Sequence, residues 1–215
     1  MSEALRLKNL LVSQGILQAQ GQVNFNFFGE ELIVTSLDVV GSILQNWFEQ
    51  WLLRNNAPYR LGAHSQSWPD FVLQDGTDLE VKAFNSDAGP NFDVANFDAY
   101  TRSLQTNAER LLTEHLIFGY KSVNGIVQIT ELHLKKIWEL TGPSRTNILN
   151  LQIKQNVPVN IRPKNWRSTQ VEVFQNRREF VLALHQALQR FYPMRCPDFF
   201  NIVEADFLNK TGQSL

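Results

Sequence analysis

Cysteine is almost missing from this sequence, and long apolar runs are missing altogether. The single cysteine among 215 residues, Cys196, excludes an internal disulfide bond and is typical of a protein kept in a reducing cytoplasm. No apolar stretch approaches the ~18 residues that a membrane-spanning helix requires. The first residues also lack the pattern of a secretory signal. We therefore expect a cytoplasmic protein with no membrane partner.

Several common catalytic and metal-binding patterns are missing as well. The sequence has no glycine-rich phosphate loop followed by lysine, no Cys-x-x-Cys pair and no His-x-x-x-His pair. His64 and His115 have no partner at the spacing of zinc ligands, and no histidine lies at a recognisable spacing from Cys196. These absences argue against a nucleotide triphosphatase, a zinc enzyme and a cysteine hydrolase.

Charge is nearly balanced overall but unevenly distributed. The net charge is −1, yet residues 143–195 contain nine Lys or Arg and only two acids, Glu172 and Glu179. This basic third of the chain is typical of a surface that holds a polyanion, while the acidic remainder could hold metal ions. An ordinary solvated surface with uneven charge is the alternative.

Periodicity predicts an α/β protein in one domain. Apolar residues recur at helical spacing in 36–54, 96–112 and 177–191, with Ser36 as a candidate N-cap of the first helix. Short strands are expected over 60–63, 71–73, 79–84, 116–120 and 126–131, with one or two more in 148–161. Asp75-Gly76 and Asn124-Gly125 are typical hairpin turns. Residues 133–140 fit either a helix or a strand, and 141–146 read as a loop.

The hairpin around Asp75-Gly76 carries the strongest chemical pattern. Strand alternation places Asp78, Glu80 and Lys82 on one face, and the turn can bring Asp70 into the same volume. Two close carboxylates repel each other, and a hard divalent cation relieves that repulsion. A lysine beside them could orient a water molecule or neutralise charge on a phosphate. A solvated strand edge would show the same alternation.

Pro69-Asp70, nine intervening residues and then Glu80-Val81-Lys82 resemble the signature of the PD-(D/E)xK nucleases. The resemblance implies a restriction-endonuclease-like αβββαβ core, with helices flanking a mixed central sheet. It also implies that Asp70, Glu80 and the Val81 carbonyl bind Mg²⁺, and that Lys82 assists the attacking water. Some members add an acid from the preceding helix, which suggests Glu49 here, although Glu49 lies opposite the apolar stripe of that helix.

Among these nucleases the chain is most similar to small type II restriction endonucleases. The similarity is carried by five segments, residues 80–84, 91–100, 116–120, 136–139 and 159–163. It implies Mg²⁺-dependent, sequence-specific cleavage of double-stranded DNA that leaves 5′-phosphates, by a homodimer. Mn²⁺ is expected to replace Mg²⁺, and Ca²⁺ to support binding without cleavage. A structure-selective repair or recombination nuclease and a non-catalytic DNA-binding module are the alternatives.

Candidate DNA contacts lie in the basic part of the chain. We expect one nuclease domain over 1–215, with a catalytic core over about 36–140 and a DNA-contacting part over about 143–215. Arginine and lysine can bind phosphates or guanine, and asparagine can read adenine. The six candidates are Arg145, Asn147, Arg162, Lys164, Asn165 and Arg167. The stripe of Phe180, Leu184 and Leu188 is expected to serve the core or a dimer contact.

Overall fold

The computed structural model describes residues 1–62 and 68–215, and these form two compact units. The first unit comprises Met1–Pro90 and Glu114–Lys135, and the second comprises Asn91–Thr113 and Lys136–Leu215. Ala63, the last residue of one expected strand, and His64 lie outside the described residues. A single nuclease domain over the whole chain stays a prediction.

The first unit contains a six-stranded mixed sheet, a separate two-stranded hairpin and two helices. Its elements are α1 (Glu3–Ser13), β1 (Gln20–Gln22), β2 (Asn24–Phe27), β3 (Glu30–Ile33), α2 (Val40–Arg54), β4 (Tyr59–Leu61), β5 (Phe71–Leu73), β6 (Asp78–Asn85), β8 (Glu114–Val123) and β9 (Ile126–Lys136). The order across the large sheet is β1-β9-β8-β6-β5-β4. Strands β4, β5 and β6 are antiparallel, whereas β6 and β8 run parallel.

Aromatic packing joins α2 to the sheet of the first unit. Phe48 is fully buried, and its ring contacts Trp51, Phe71 and Phe118 at centroid distances of 5.7, 5.5 and 6.5 Å. Burial of such rings is the main favourable contribution to folding here, at roughly 1.5–3 kcal/mol for each. The helix is therefore held firmly over β5 and β6, the two strands that flank the candidate site.

The second unit contains the remaining strands and helices. Its elements are β7 (Ala95–Asn96), α3 (Phe97–Leu104), α4 (Ile137–Leu140), β10 (Leu151–Lys154), β11 (Val157–Ile161), α5 (Arg177–Phe191) and α6 (Phe199–Thr211). Strands β10, β11 and β7 form a small antiparallel sheet in that order. Phe180, Leu184 and Leu188 of α5 are at most 1% exposed, which confirms the expected core stripe.

The chain order α2, β4, β5, β6, α3, β8 confirms the predicted αβββαβ core. Several boundaries were wrong. Residues Leu37–Val39 form a 3₁₀ turn before α2, and the Ser36 side chain makes no capping hydrogen bond. The helix expected over 96–112 ends at Leu104 and is followed by the 3₁₀ segment Ala108–Leu112.

Other elements differ in extent or were not predicted. Strands β8 and β9 are several residues longer than expected, and the ambiguous segment 133–140 divides into the end of β9 and the short helix α4. Helices α1 and α6 and the hairpin β2–β3 were not predicted. The buried residues of the two helices do recur at helical spacing, so this signal was present and was missed, whereas the hairpin strands are short and exposed. Among the described helices, none has the length and apolar character needed to cross a bilayer.

Candidate active site

The candidate site lies in the first unit, on the antiparallel pair β5–β6. The register aligns Phe71 with Leu79 and Val72 with Asp78, so that Asp70, just before β5, lies next to the middle of β6. The Val81 backbone N–H donates a hydrogen bond of 2.8 Å to Asp70 Oδ2. This contact confirms the geometric expectation that the turn at Gly76 brings Asp70 beside residues 80–82.

Glu80 and Lys82 form an ion pair on the same face of β6. Lys82 Nζ lies 2.8 Å from Glu80 Oε2, and the two side chains are only 20% and 12% exposed. At this degree of burial a charge–charge contact is screened less than on an open surface. The lysine ammonium is therefore held close to the two carboxylates before any substrate arrives.

Asp70 is a largely buried carboxyl group with a raised pKa. Burial, followed by the nearby negative charge of Glu80, raises the pKa of Asp70 to about 6 from 3.8. Lys82 and hydrogen bonds from Val81 and Gln45 lower this pKa but do not outweigh burial. A carboxylate pair under this repulsion is suited to bind a cation, since the cation removes the cost of holding both charges.

Helix α2 contributes Gln45 to the site. The Gln45 side chain hydrogen-bonds Asp70, whereas Glu49, one turn further along the helix, accepts a 2.9 Å hydrogen bond from the Tyr59 hydroxyl. Burial and this contact raise the pKa of Tyr59. Sequence reasoning favoured Glu49 because it is charged and missed Gln45, which occupies the same helix face at i−4. A direct role for Glu49 stays a prediction.

The parallel strand β8 extends the face that carries Glu80 and Lys82. Its register places His115 beside Glu80 and Gly119 beside Phe84. His115 is 4% exposed, so it is a buried neighbour of the carboxylate pair. Sequence reasoning examined this histidine only as a zinc ligand and did not associate it with Glu80.

Gly119 marks a close approach on this face. A Cβ at this position would lie 2.9 Å from Glu131 Cβ and 3.1 Å from Phe84 Cζ, so a larger residue would require the neighbours to shift. Glu131 Oε2 lies 2.9 Å from His133 Nε2, and the His133 ring stacks on Phe84 at 6.4 Å. These residues, absent from the sequence-based candidates, extend the polar face across β9.

The six predicted DNA contacts lie in the second unit and differ in their environments. Arg162 is paired with Asp93 and hydrogen-bonded to Asn91. Lys164 Nζ donates a 2.7 Å hydrogen bond to the Pro143 carbonyl. Asn147 closes a tight turn with Ser144.

The other three candidates are exposed. Arg145 lies in the loop between α4 and β10, and Asn165 and Arg167 lie in the loop after β11, where the Arg167 Nε donates to the Asn165 side chain at 3.1 Å. Between them, the Trp166 ring contacts Phe92 at a centroid distance of 6.1 Å. The basic-aromatic stretch therefore combines a packed tryptophan with exposed polar groups.

Comparison with known proteins decides the family. The family model of the NgoBV restriction endonuclease matches residues 1–195. The chain belongs to the NgoBV restriction endonuclease family. It is 36% identical over 187 residues to the type II restriction enzyme NlaIV of Neisseria lactamica, covering 83% of this chain and 77% of that enzyme. It is 37% identical over 154 residues to the type II restriction enzyme NgoBV of Neisseria gonorrhoeae, covering 68% and 86% respectively.

A solved structure agrees with this assignment. The NlaIV restriction endonuclease superposes with a TM-score of 0.89 at 32% identity, over 100% of this chain and 92% of that one. The expected fold and activity are thereby confirmed: this member of the NgoBV family is a type II restriction endonuclease with a mixed α/β fold. It is an endodeoxyribonuclease that acts on DNA and uses a divalent metal ion.

The donor groups at the site of this NgoBV-family enzyme fit such an ion. Among the described residues no cluster of three or more His, Cys, Asp or Glu could hold a metal. Asp70 and Glu80 nevertheless supply two carboxylates, and the Val81 carbonyl follows Glu80 directly in the chain. Burial and then the charge of Glu80 raise the pKa of Asp70, which a bound cation would oppose. Mg²⁺ is commonly held by one or two carboxylates and keeps several waters. The sparse, oxygen-only donor set is therefore appropriate for a hard cation.

Proposed function

We propose that this enzyme hydrolyses double-stranded DNA at a specific short sequence in a Mg²⁺-dependent reaction that leaves 5′-phosphate and 3′-hydroxyl ends. The observation that carries the proposal is the buried group of Asp70, Glu80 and Lys82 on the β5–β6 hairpin. In this group the negative charges of Asp70 and Glu80 repel each other, and the Lys82 ammonium lies 2.8 Å from Glu80. Phosphodiester hydrolysis needs this combination of a cation site and a positive group near the reacting phosphate.

Asp70, Glu80 and the Val81 carbonyl would hold the metal ion. When bound, the ion supplies Lewis acidity toward the scissile phosphate and favours ionisation of water. The Val81 N–H fixes Asp70 Oδ2 at 2.8 Å, which keeps that carboxylate in one orientation. The backbone of residue 81 thus acts twice, as a donor that orients Asp70 and as a ligand through its carbonyl oxygen.

Lys82 would serve the attacking water and the developing charge. Its ammonium is a compact donor of three hydrogen bonds, and Glu80 holds it on the face of β6 that carries the carboxylates. From there it can orient a water molecule toward phosphorus and stabilise negative charge on the phosphate in the transition state. Gln45 would position Asp70 from the helix side, and Glu49 stays a candidate for an additional acid of the metal site.

DNA would be held by the basic second unit. We infer that Arg145, Asn165 and Arg167 contact DNA directly, because they are exposed. Arg162, Lys164 and Asn147 are less exposed and are hydrogen-bonded within that unit, so besides any contact with DNA they would shape the loops that present the exposed groups. Phosphate contacts made by such cations provide salt-dependent affinity, and amide groups can add base readout. The enzyme would act in the cytoplasm as a homodimer on double-stranded DNA.

Digestion of long phage DNA tests the proposal. Purified enzyme with Mg²⁺ should give discrete bands, Mn²⁺ should support the same pattern, and EDTA should abolish it. Ca²⁺ should support DNA binding in a gel-shift assay without cleavage. The 5′ ends should accept label from a polynucleotide kinase only after phosphatase treatment, because they already carry phosphate.

Two results of that digestion would contradict the proposal. Cleavage confined to branched or damaged DNA would indicate a structure-selective nuclease. DNA binding with no cleavage in either Mg²⁺ or Mn²⁺ would indicate a non-catalytic module. A heat-treated sample of the same preparation is the control for a contaminating nuclease.

A further inference from the structure

One face of the hairpin β2–β3 is largely apolar and is about half exposed or more. Its register pairs Phe25 with Leu32 and Phe27 with Glu30, so that Phe25, Phe27 and Leu32 share this face with the Glu30 side chain. These three side chains are 49%, 70% and 49% exposed, and the two phenylalanine rings stack at 6.0 Å. At the tip, Phe28 is 96% exposed. Exposed apolar side chains of this size on a short two-stranded hairpin are typical of a contact surface for another protein.

The opposite face of the hairpin is held by the first unit itself. Ile33 lies on that face, and its Cγ2 is so close to Gly125 that a Cβ there would be 2.3 Å away. Gly125 belongs to the β8–β9 turn, with φ +80°. The hairpin is therefore anchored at its base on one side, and its phenylalanine face remains about half exposed or more.

An apolar groove adjoins the base of the hairpin. It has a volume of about 230 Å³ and is lined by α2 and by the chain that leads into β2, including Val23, Ile43, Leu44 and Trp47. The lining contains no charged side chain. The same unit thus carries a projecting apolar hairpin and an apolar recess beside it, which is the self-complementary pattern of a two-fold interface.

Charge excludes DNA as the natural occupant of this surface. Residues 20–37 contain no lysine or arginine and include Glu30 and Glu31. A phosphate backbone would be repelled by these carboxylates and would find no cation to bind. An apolar protein surface is favoured instead. The exposed parts of the hairpin's large apolar side chains amount to on the order of 500 Å², more than half of the ~800 Å² that each partner of a stable complex contributes.

We propose that the hairpin Asn24–Ile33 and the adjoining groove form the surface through which two copies of this chain pair. The inference rests on the proposed homodimer and names its contact surface. The described residues contain one group of Asp70, Glu80 and Lys82, whereas a cut through both DNA strands needs two. A second copy, related by a two-fold axis, supplies the other group and covers the phenylalanine face of the first.

Sedimentation velocity of the full chain, without DNA or metal, tests the proposal. The wild type should sediment at twice its 24.8 kDa mass. Phe28→Ser and Phe27→Ser should each raise the dimer dissociation constant by about 30-fold, as expected for loss of a central aromatic anchor. Asn26→Ser, on the opposite face of the same strand, is the matched control and should leave the dimer intact. Because Phe28 is almost fully exposed, its substitution should leave the melting temperature of the monomer unchanged.

The groove has its own test. Ile43→Glu places a charge in the recess and should weaken the dimer as the phenylalanine variants do. A wild type that sediments as a monomer, or a dimer that survives both Phe28→Ser and Ile43→Glu, would overturn the proposal. Reduced DNA affinity of the phenylalanine variants with an unchanged dimer would instead assign the face to DNA and also overturn it. These measurements need no catalysis, so a failure of the proposed nuclease function would be seen separately in the digestion assay.

Discussion

The candidate catalytic residues of the first unit and the candidate DNA-binding cations of the second unit are held in opposite ways. Lys82 Nζ donates to Glu80 Oε2, and the Val81 backbone N–H donates to Asp70 Oδ2, both at 2.8 Å. Arg162 and Lys164 are bound by groups of their own unit, whereas Arg145 is exposed. Positive charge in a loop therefore has several uses, and only the structure separates a cation that binds the protein from one that is available to a ligand.

Among the substitutions in the first unit, Glu80→Gln is expected to have the largest effect on cleavage. Loss of one carboxylate removes a metal ligand and the partner of Lys82, so the cleavage rate should fall on the order of 10³-fold. Single-turnover cleavage of DNA with Mg²⁺ measures this. Asp87→Asn, an exposed carboxylate paired with Lys121 just beyond the same strand, is the control and should cleave normally. A fall of less than tenfold for Glu80→Gln would contradict the assignment.

Asp70→Asn should separate stability from catalysis. Because the folded-state pKa of Asp70 is raised to about 6, its contribution to stability is full below pH 3.8 and is lost as pH rises through about 6. Asparagine does not ionise, so the variant does not lose this stability as pH rises. Its side-chain oxygen can still accept the hydrogen bond from the Val81 N–H. At pH 8 in EDTA its free energy of unfolding should exceed that of the wild type by about 1–3 kcal/mol, while cleavage is lost.

Urea titrations of both proteins at pH 8 and pH 3.5 measure this difference. The gain should shrink at the lower pH, where Asp70 carries its proton in both the folded and the unfolded state. An equal or lower stability of Asp70→Asn at pH 8 would show that the carboxylate pair is not under repulsive stress.

Gln45→Leu tests whether helix α2 positions the site. Losing the hydrogen bond to Asp70 should lower cleavage about tenfold and raise the Mg²⁺ concentration needed for half-maximal rate, as for other groups that orient a metal ligand. Gln45→Glu should not restore the rate, because an ionised carboxylate cannot donate that hydrogen bond. Glu49→Gln, which keeps an acceptor for Tyr59, should have a smaller effect. A larger loss for Glu49→Gln would return the helix role to Glu49.

Arg167→Ala and Arg162→Ala test whether Arg167 contacts DNA while Arg162 stabilises the second unit. These two substitutions should give the smallest effects. Arg167→Ala should weaken DNA binding in Ca²⁺ roughly fivefold and reduce the salt dependence by about one phosphate contact. Arg162→Ala should mainly lower the melting temperature, since it releases Asp93 and Asn91. Fluorescence anisotropy at several salt concentrations distinguishes them. Equal losses of affinity and equal salt slopes would contradict the division.

The part of the site that could be predicted from sequence depends on strand geometry. Alternation places Glu80 and Lys82 on one face whatever surrounds them, and the turn at Gly76 fixes where Asp70 returns. Periodicity predicted the α/β class, and the resemblance to the PD-(D/E)xK nucleases implied the core order αβββαβ. Gln45 and His115 could not be found this way, because their nearness to Asp70 and Glu80 arises from tertiary packing and from the register of β6 with β8.

The hairpin Asn24–Ile33 shows the limit of periodicity in another form. Its strands are four residues each, and all of their side chains are exposed, so burial leaves no simple alternating signal. Its amphipathic character appears only when the register pairs Phe25 with Leu32. The second-unit loops differ again, since no pattern specifies that Arg162 would pair with Asp93. Short elements and loops are determined by contacts distant in sequence.

The most direct test of the catalytic assignment compares Lys82→Ala with the wild type under single-turnover conditions. The variant should bind DNA in Ca²⁺ as tightly as the wild type but cleave it on the order of 10³-fold more slowly in Mg²⁺, because only the transition state needs the ammonium. Lys121→Ala, a half-exposed lysine on β8, should behave as the wild type. Cleavage by Lys82→Ala at the wild-type rate would contradict the account.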